Sequence, residues 1–317
     1  MKIFKTLALS ALLTTISMAQ KEALVVAVDN YKGTKYDLGG VKKDFGRMKN
    51  LFESWGFHVT LVRNAESMKL EQYLISHLAK SLGRDDEFIF YYSGHGYHIK
   101  DISGDEADGE DEALVLSDGE RNELFLDDAL FGYLNSIQAK KMVLLDSCHS
   151  GTAFKAFGNK PRPKSIGDGA VSGVIRTKSF RPKESKIGSG EYIVFSASQD
   201  KEESLDTSSG GLFTNAFLHQ VGGVGGRDTK LMNLRQQMEN EIVTYCKRSD
   251  SIPHHPNLSA SNNRLKYSTI NQFFTPKAQP VPTKNIALMG AKSFRSGELL
   301  DFKIDTLGNR GYVTIFS

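Results

Sequence analysis

The run Ala23-Leu24-Val25-Val26-Ala27-Val28 constrains the fold of this 317-residue chain more than any other feature. Successive side chains of a strand point to opposite faces, so an unbroken apolar run is apolar on both. A strand of that kind belongs inside a sheet covered on each side by helices. The first strand is placed at Glu22 to Val28, and similar runs lie at Phe57 to Val62, Glu87 to Tyr92, Lys141 to Asp146 and Glu191 to Ala197. Between them the apolar spacing changes to threes and fours. Val41, Phe45, Met48, Phe52 and Trp55 form one helical stripe, Leu70, Leu74, Leu78 and Leu82 a second, and Leu126, Leu130, Leu134 and Ile137 a third. Further helices are expected from Leu212 to Val221 and from Leu231 to Cys246. Strand alternating with helix predicts an α/β architecture around a mostly parallel sheet.

The two ends read differently from this core. Lys2 and Lys5 precede an apolar run from Leu7 to Ile16, and Ser17-Met18-Ala19 offers small residues for a signal peptidase. Residues 1–19 are therefore expected to be a secretory signal, too short for a membrane span, and the mature chain to be periplasmic or secreted. A folded domain is expected over 20–272. Within it Lys155 to Gly190, rich in Gly, Ser, Pro, Lys and Arg, is expected to be a flexible basic loop. Residues 273–284 carry three prolines and read as a stiff linker. Residues 285–317 show strand-like alternation at Leu300, Phe302 and Ile304, and again from Tyr312 to Phe316, in a piece too short to fold alone. This C-terminal β segment is expected to be an incomplete domain.

Composition is ordinary. A formal net charge of +3 gives no argument for nucleic acid, and no stretch after the signal is apolar enough to span a membrane. Cys148 and Cys246 do not make a disulfide framework, and both are expected to be free thiols, with Cys246 on the buried stripe of its helix. His254-His255 lies between Pro253 and Pro256, a loop setting rather than a zinc site. The glycines from Gly222 to Gly226 lack the strand–loop–helix context of a phosphate cradle.

Chemistry concentrates at the ends of two strands. The third leads into Ser93-Gly94-His95-Gly96 and the fourth into Ser147-Cys148-His149-Ser150-Gly151. Open parallel sheets bind ligands beyond the carboxyl ends of their strands, so neighbouring strands would set imidazole and thiol across one crevice. A thiolate is the nucleophile a thiol is not, and an imidazole takes the thiol proton and later protonates a leaving amine. The backbone N–H groups of Gly96 and Cys148 are placed to hold an oxyanion. His149 is adjacent, with its side chain expected to point away.

Tyr-Ser-Gly-His-Gly (92 to 96) and Asp-Ser-Cys-His-Ser-Gly (146 to 151) resemble the two signature motifs of metacaspases and bacterial caspase-like peptidases. Cys148 stands 53 residues after His95, close to the caspase spacing. The likeness runs through Asp127-Asp128 and Ser196 to Asp200 and covers about residues 22 to 250. The caspase Gln-Ala-Cys pentapeptide is absent, which favours the metacaspase branch. The resemblance implies a caspase-like (caspase-hemoglobinase) sheet of six strands, the last antiparallel, flanked by helices. It implies a His95–Cys148 dyad and an acidic pocket of Asp44, Ser93 and Asp146 for Arg or Lys before the cleaved bond. No cofactor is required by this reading. A calcium site is implied by Asp127 and Asp128, with Asp111 from the acidic loop 101–118. Lys155 stands where the family carries another acid, and a lysine opposes a cation.

The function expected is a cysteine endopeptidase acting on proteins and peptides after Arg or Lys through a thioester, and cutting itself between Lys155 and Gly190. Three alternatives share parts of this pattern: a transpeptidase or ligase of the same clan, a non-catalytic binding module, and a structural envelope protein.

Overall fold

In a computed structural model of the chain, residues 19–65, 67–74, 82–100, 110–148, 162–166, 173–175, 190–199 and 202–274 are described. The first elements are β1 (Lys21–Ala27), α1 (Val41–Ser54), β2 (His58–Arg63), α2 (Ser67–Tyr73) and β3 (Glu87–Ser93). Then come β4 (Gly96–Lys100), β5 (Glu110–Ser117), β6 (Asn122–Leu126), α3 (Asp127–Ser136) and β7 (Lys140–Asp146). Short strands β8 (Arg162–Pro163) and β9 (Gly173–Ile175) precede β10 (Tyr192–Ser196), β11 (Leu205–Thr207) and β12 (Gly210–Gly211). The domain closes with α4 (Leu212–Gly222), α5 (Leu231–Ser249), β13 (Asn257–Ala260) and α6 (Ile270–Phe274).

The main sheet has six strands in the order β13-β10-β7-β3-β1-β2. All neighbours are parallel except β13, which runs antiparallel to β10. The apolar runs divide their side chains between its two faces. Ala23, Val25, Ile89, Tyr91, Met142 and Leu144 pack with residues of α1, α4, α5 and α6 on one side. Leu24, Val26, Phe88, Phe90, Val143 and Leu145 pack on the other with α2, α3 and the β5–β6 hairpin. Each such side chain contributes roughly 1.5–3 kcal/mol when removed from water, which is why the central strands carry almost no polar residue.

Two expectations need correction. The stretch 101–118 is not a loop throughout: β5 pairs antiparallel with β4 and with β6, building a second sheet in the order β4-β5-β6-β9. Glu110, Asp111 and Glu112 conceal the strand, while the apolar residues Ala113 to Leu116 behind them are buried. The basic stretch 155–190 is not unpacked throughout either. Residues 173–175 pair with β6, and residues 162–163 pair with β11 in a third sheet, β12-β11-β8. The signal segment, His149, Lys155, Leu78 of the Leu70 to Leu82 stripe, the linker from 276 and the β segment 285–317 lie outside the described residues.

Candidate active site

β3 and β7 are neighbours in register, with Ser93 opposite Asp146. Their carboxyl ends therefore deliver His95 and Cys148 side by side, and both are buried. The backbone fixes the imidazole: its Nε2 lies 2.7 Å from the Tyr36 carbonyl, which leaves Nδ1 as the acceptor nitrogen in the neutral ring. Nδ1 has no hydrogen-bond partner among the described residues. Tyr31 supports the same residue twice. Its hydroxyl accepts the His95 N–H at 2.7 Å, and its ring lies 4.5 Å from the imidazole, centroid to centroid. Cys148 donates its thiol to the Ser204 carbonyl at 3.1 Å. A methyl group on Gly96 would collide with the Cys148 carbonyl, so only glycine lets the two motifs meet this closely.

Asp44, Ser93 and Asp146 converge beside them. Asp44 sits on the buried stripe of α1 between Val41 and Met48. Its Oδ2 accepts from the Gly211 N–H at 2.8 Å and from the Ser93 hydroxyl at 3.1 Å, and its Oδ1 from Arg47 at 2.7 Å. Asp146 accepts from Ser204 Oγ at 3.0 Å and Thr214 Oγ1 at 2.6 Å. Gly211 forms the floor, since a methyl there would strike Asp146.

Into this pocket the chain inserts its own Lys164. The ammonium lies 2.9 Å from Asp146 Oδ2, 3.9 Å from Asp44 Oδ2 and 2.8 Å from Ser93 Oγ. Burial pulls the lysine down, but Asp146 and Asp44 more than offset it, so its pKa stands above the ordinary value. The Lys164 carbonyl accepts from the Gly96 N–H at 2.8 Å and the Cys148 N–H at 3.4 Å, and its own N–H donates to Ser204 at 2.8 Å. β8 and β11 pair antiparallel just before it, with Pro163 opposite Leu205 and Arg162 opposite Asp206. Residues 162–165 thus cross the site as an extended peptide: side chain in the acidic pocket, carbonyl on two converging N–H groups, Ser165 next. With the site covered, burial pushes the Cys148 thiol well above its usual value, and the Glu203 charge adds to this. Burial likewise holds His95 down at about 4, although the Tyr36 and Lys164 carbonyls favour its charged form.

The caspase domain model matches residues 20–268 of this chain. The chain belongs to the caspase-domain family of cysteine peptidases. It is 26% identical over 288 residues to metacaspase-1 of Candida glabrata, covering 75% of this chain and 73% of that one. It is 28% identical over 292 residues to metacaspase-1 of Yarrowia lipolytica, covering 75% and 63%. Against metacaspase-1 of Plasmodium falciparum identity is 30% over 248 residues, 71% of this chain but only 36% of that protein. Among solved structures, protein GSU0716 from Geobacter sulfurreducens superposes with a TM-score of 0.60 at 22% identity, covering 79% of this chain and 97% of that one. That likeness concerns the fold.

Within this caspase-domain chain, Asp111 lies buried on β5, and Asp127 and Asp128 open α3. The described residues hold no group of three or more His, Cys, Asp or Glu side chains arranged to bind a metal ion. Residues 101–109 of the acidic stretch lie outside the described residues. Cys148 and Cys246 are free and buried, Cys246 on the stripe of α5. No described helix is long and apolar enough to cross a membrane. Sequence reasoning missed Lys164, Ser204, Gly211, Thr214 and the Tyr31–Tyr36 support. Only the glycine-rich Ser209-Gly210-Gly211 turn before α4 offered a local signal of a close approach.

Proposed function

We propose that this peptidase hydrolyses peptide bonds after Lys or Arg, with Cys148 as nucleophile and His95 as general base and acid. The observation that carries the reading is the seat of Lys164. A basic side chain between two carboxylates, with its carbonyl on the Gly96 and Cys148 N–H groups, is the posture a substrate must adopt before attack. An aspartate in that pocket would face Asp44 and Asp146 and be repelled.

The Tyr36 carbonyl holds Nε2–H, so Nδ1 is free to take the thiol proton once Sγ leaves Ser204. Sulfur then attacks the carbonyl carbon and the oxyanion forms on the two N–H groups. The imidazolium protonates the departing amine as the C–N bond breaks, leaving a thioester. Water, deprotonated by His95, hydrolyses the thioester to acid and restores the thiol. No metal enters this sequence.

The first bond so placed is the chain's own Lys164–Ser165, inside the stretch expected to be cut. Tethering supplies it at high effective concentration. The intact segment also fills the site, so foreign substrates compete with it. We assign the chain to an exported compartment on its N-terminal pattern alone. Purifying wild type and Cys148→Ala side by side and mapping their new N-termini by mass spectrometry tests the reading. A terminus at Ser165 in wild type alone supports it, and the same fragments in both proteins contradict it.

A further inference from the structure

We propose that the site carries a receptor for the chain end it creates: once the Lys164–Ser165 bond is cut, the α-ammonium of Ser165 docks on the Glu203 carboxylate, with Ile166 kept in the apolar core as its anchor. This rests on reading Lys164–Ser165 as the first bond cleaved and says what becomes of the half that would otherwise leave.

The far side of that bond is already seated. Ser165 is 4% exposed and Ile166 0%. Ser165 bridges Gly96, the first residue of β4, in parallel. Ile166 joins the apolar cluster that includes Ala113, Leu114 and Val115 of β5. None of these contacts depends on the bond to Lys164. Returning an isoleucine side chain to water is unfavourable, so cleavage frees the end of this segment without freeing its anchor.

Glu203 faces the residue that cleavage changes. Ser165 Oγ donates to Glu203 Oε1 at 3.0 Å. The Ser165 nitrogen is three bonds from that Oγ, within reach of the same carboxylate. While the bond is whole this nitrogen is an uncharged amide. As the C–N bond breaks, the imidazolium proton passes to it and gives an amine, which takes one more proton from water to become an ammonium. A cation with three donors then stands beside an anion.

Before the cut, Glu203 is a carboxylate in want of a cation. It is half-buried, and burial raises its pKa, opposed by the Ser165 hydrogen bond. Its neighbour Glu202 is held by the His255 N–H at 2.7 Å and by His255 Nδ1 at 2.7 Å. Among the described residues Glu203 has a hydroxyl in place of such a partner. Its charge also opposes the chemistry of the uncut chain, because it adds to the rise of the Cys148 thiol pKa. The new ammonium offsets that charge. Self-cleavage therefore unlinks Lys164 from the segment beyond it and neutralises the anion beside the nucleophile. The ligand class is a primary α-ammonium followed by a buried aliphatic residue.

The test reads the new chain end itself. Self-processed wild type and Glu203→Gln are trace-acetylated with acetic anhydride at a series of pH values, and the Ser165 peptide is quantified by mass spectrometry. Acetylation follows the free amine, so its pH dependence reports the pKa of that one group. In wild type it is expected to lie roughly one unit above the ordinary α-amino value of about 8. At neutral pH the Ser165 end should then acetylate about tenfold more slowly than a free Ser-Ile peptide in the same mixture. Glu203→Gln is expected to remove the shift. An ordinary or lowered value in wild type overturns the inference, and that measurement decides alone if Glu203→Gln cuts itself too slowly. A raised value that survives Glu203→Gln overturns it too, because the partner is then another acid. In both cases the Lys164–Ser165 cut stands. A wild type that forms no Ser165 terminus overturns the reading of the cleaved bond, and the receptor with it.

Discussion

Lys164 and Asp146 form an ion pair of 2.9 Å with both side chains at 0% exposure. Such a pair is a poor source of net stability, because desolvating two charges consumes most of their attraction, but breaking it by removing one partner costs about 3–5 kcal/mol. It therefore acts as a latch. It holds residues 162–166 across the site while both partners remain, and it yields as a unit when either is lost.

Lys164→Ala is accordingly expected to open the site. Water returning to Cys148 lowers its pKa toward the ordinary range, and a thiol gains reactivity with its thiolate fraction. Alkylation by iodoacetamide without prior reduction should run at least about tenfold faster in the variant than in uncut Cys148-containing enzyme blocked by His95→Ala. The same labelling reports redox state: a Cys148 that stays unlabelled until reductant is added would point to a disulfide with Cys246 and contradict the free thiols.

The pocket floor and wall can be altered separately. Asp146→Asn removes one charge and should raise the barrier for Lys and Arg substrates by about 2 kcal/mol more than for neutral ones, the scale of a hydrogen bond to a charged group. Gly211→Ala adds a methyl against Asp146 and the lysine end, and should block long basic side chains in a protein that still folds. A positional peptide library on both variants, with circular dichroism as the control for folding, checks this. Aspartate preferred at the first position would refute the acidic pocket.

The pH profile follows from Asp44, held up at about 6 chiefly by burial, with the Asp146 charge adding to the rise and Lys164 opposing it. An incoming cation needs the ionised carboxylate, so kcat/KM for Lys substrates should fall as pH drops through about 6. In Asp44→Asn that limb should vanish. Folding responds with the opposite sign. A carboxyl whose folded pKa is raised contributes stability below its unfolded value and loses it as pH rises through the folded one. Thermal melts should therefore show Asp44 weakening the fold between about pH 4 and 6, a trend absent from Asp44→Asn.

Much of this arrangement was legible in the sequence, and the reason differs by residue. His95 and Cys148 stood out because each ends an apolar run, and strand ends of a parallel sheet meet at one edge. Asp44 was named through the resemblance to the metacaspases alone, and its place on the buried stripe with Val41, Met48 and Phe52 came from the fold. The β4–β5–β6 sheet was missed because three acids open β5, although Asp118-Gly119 marks its turn and Gly119 takes φ +90° there. Lys164 had no local sign at all. Eight other basic residues share its stretch from 155 to 190, and what buries this one is Asp44, Ser93 and Asp146, which only the folded sheet brings to it.

The dyad should behave as a unit. His95→Ala and Cys148→Ala should each lose nearly all turnover while keeping their melting transition, and the double variant should be little worse than either. Additive losses would mean that the two residues act independently.

Self-cleavage at one named bond is the sharpest measurement of whether Lys164 sits as a substrate. Wild type, Cys148→Ala and Lys164→Ala are incubated under the same conditions and their fragments weighed by mass spectrometry. A new chain beginning at Ser165 is expected in wild type, none in Cys148→Ala, and no cut at that bond in Lys164→Ala although that variant cleaves added Lys peptides. A Ser165 terminus that persists in Cys148→Ala, or a wild type that cleaves Lys peptides with the Lys164–Ser165 bond fully intact, would contradict it.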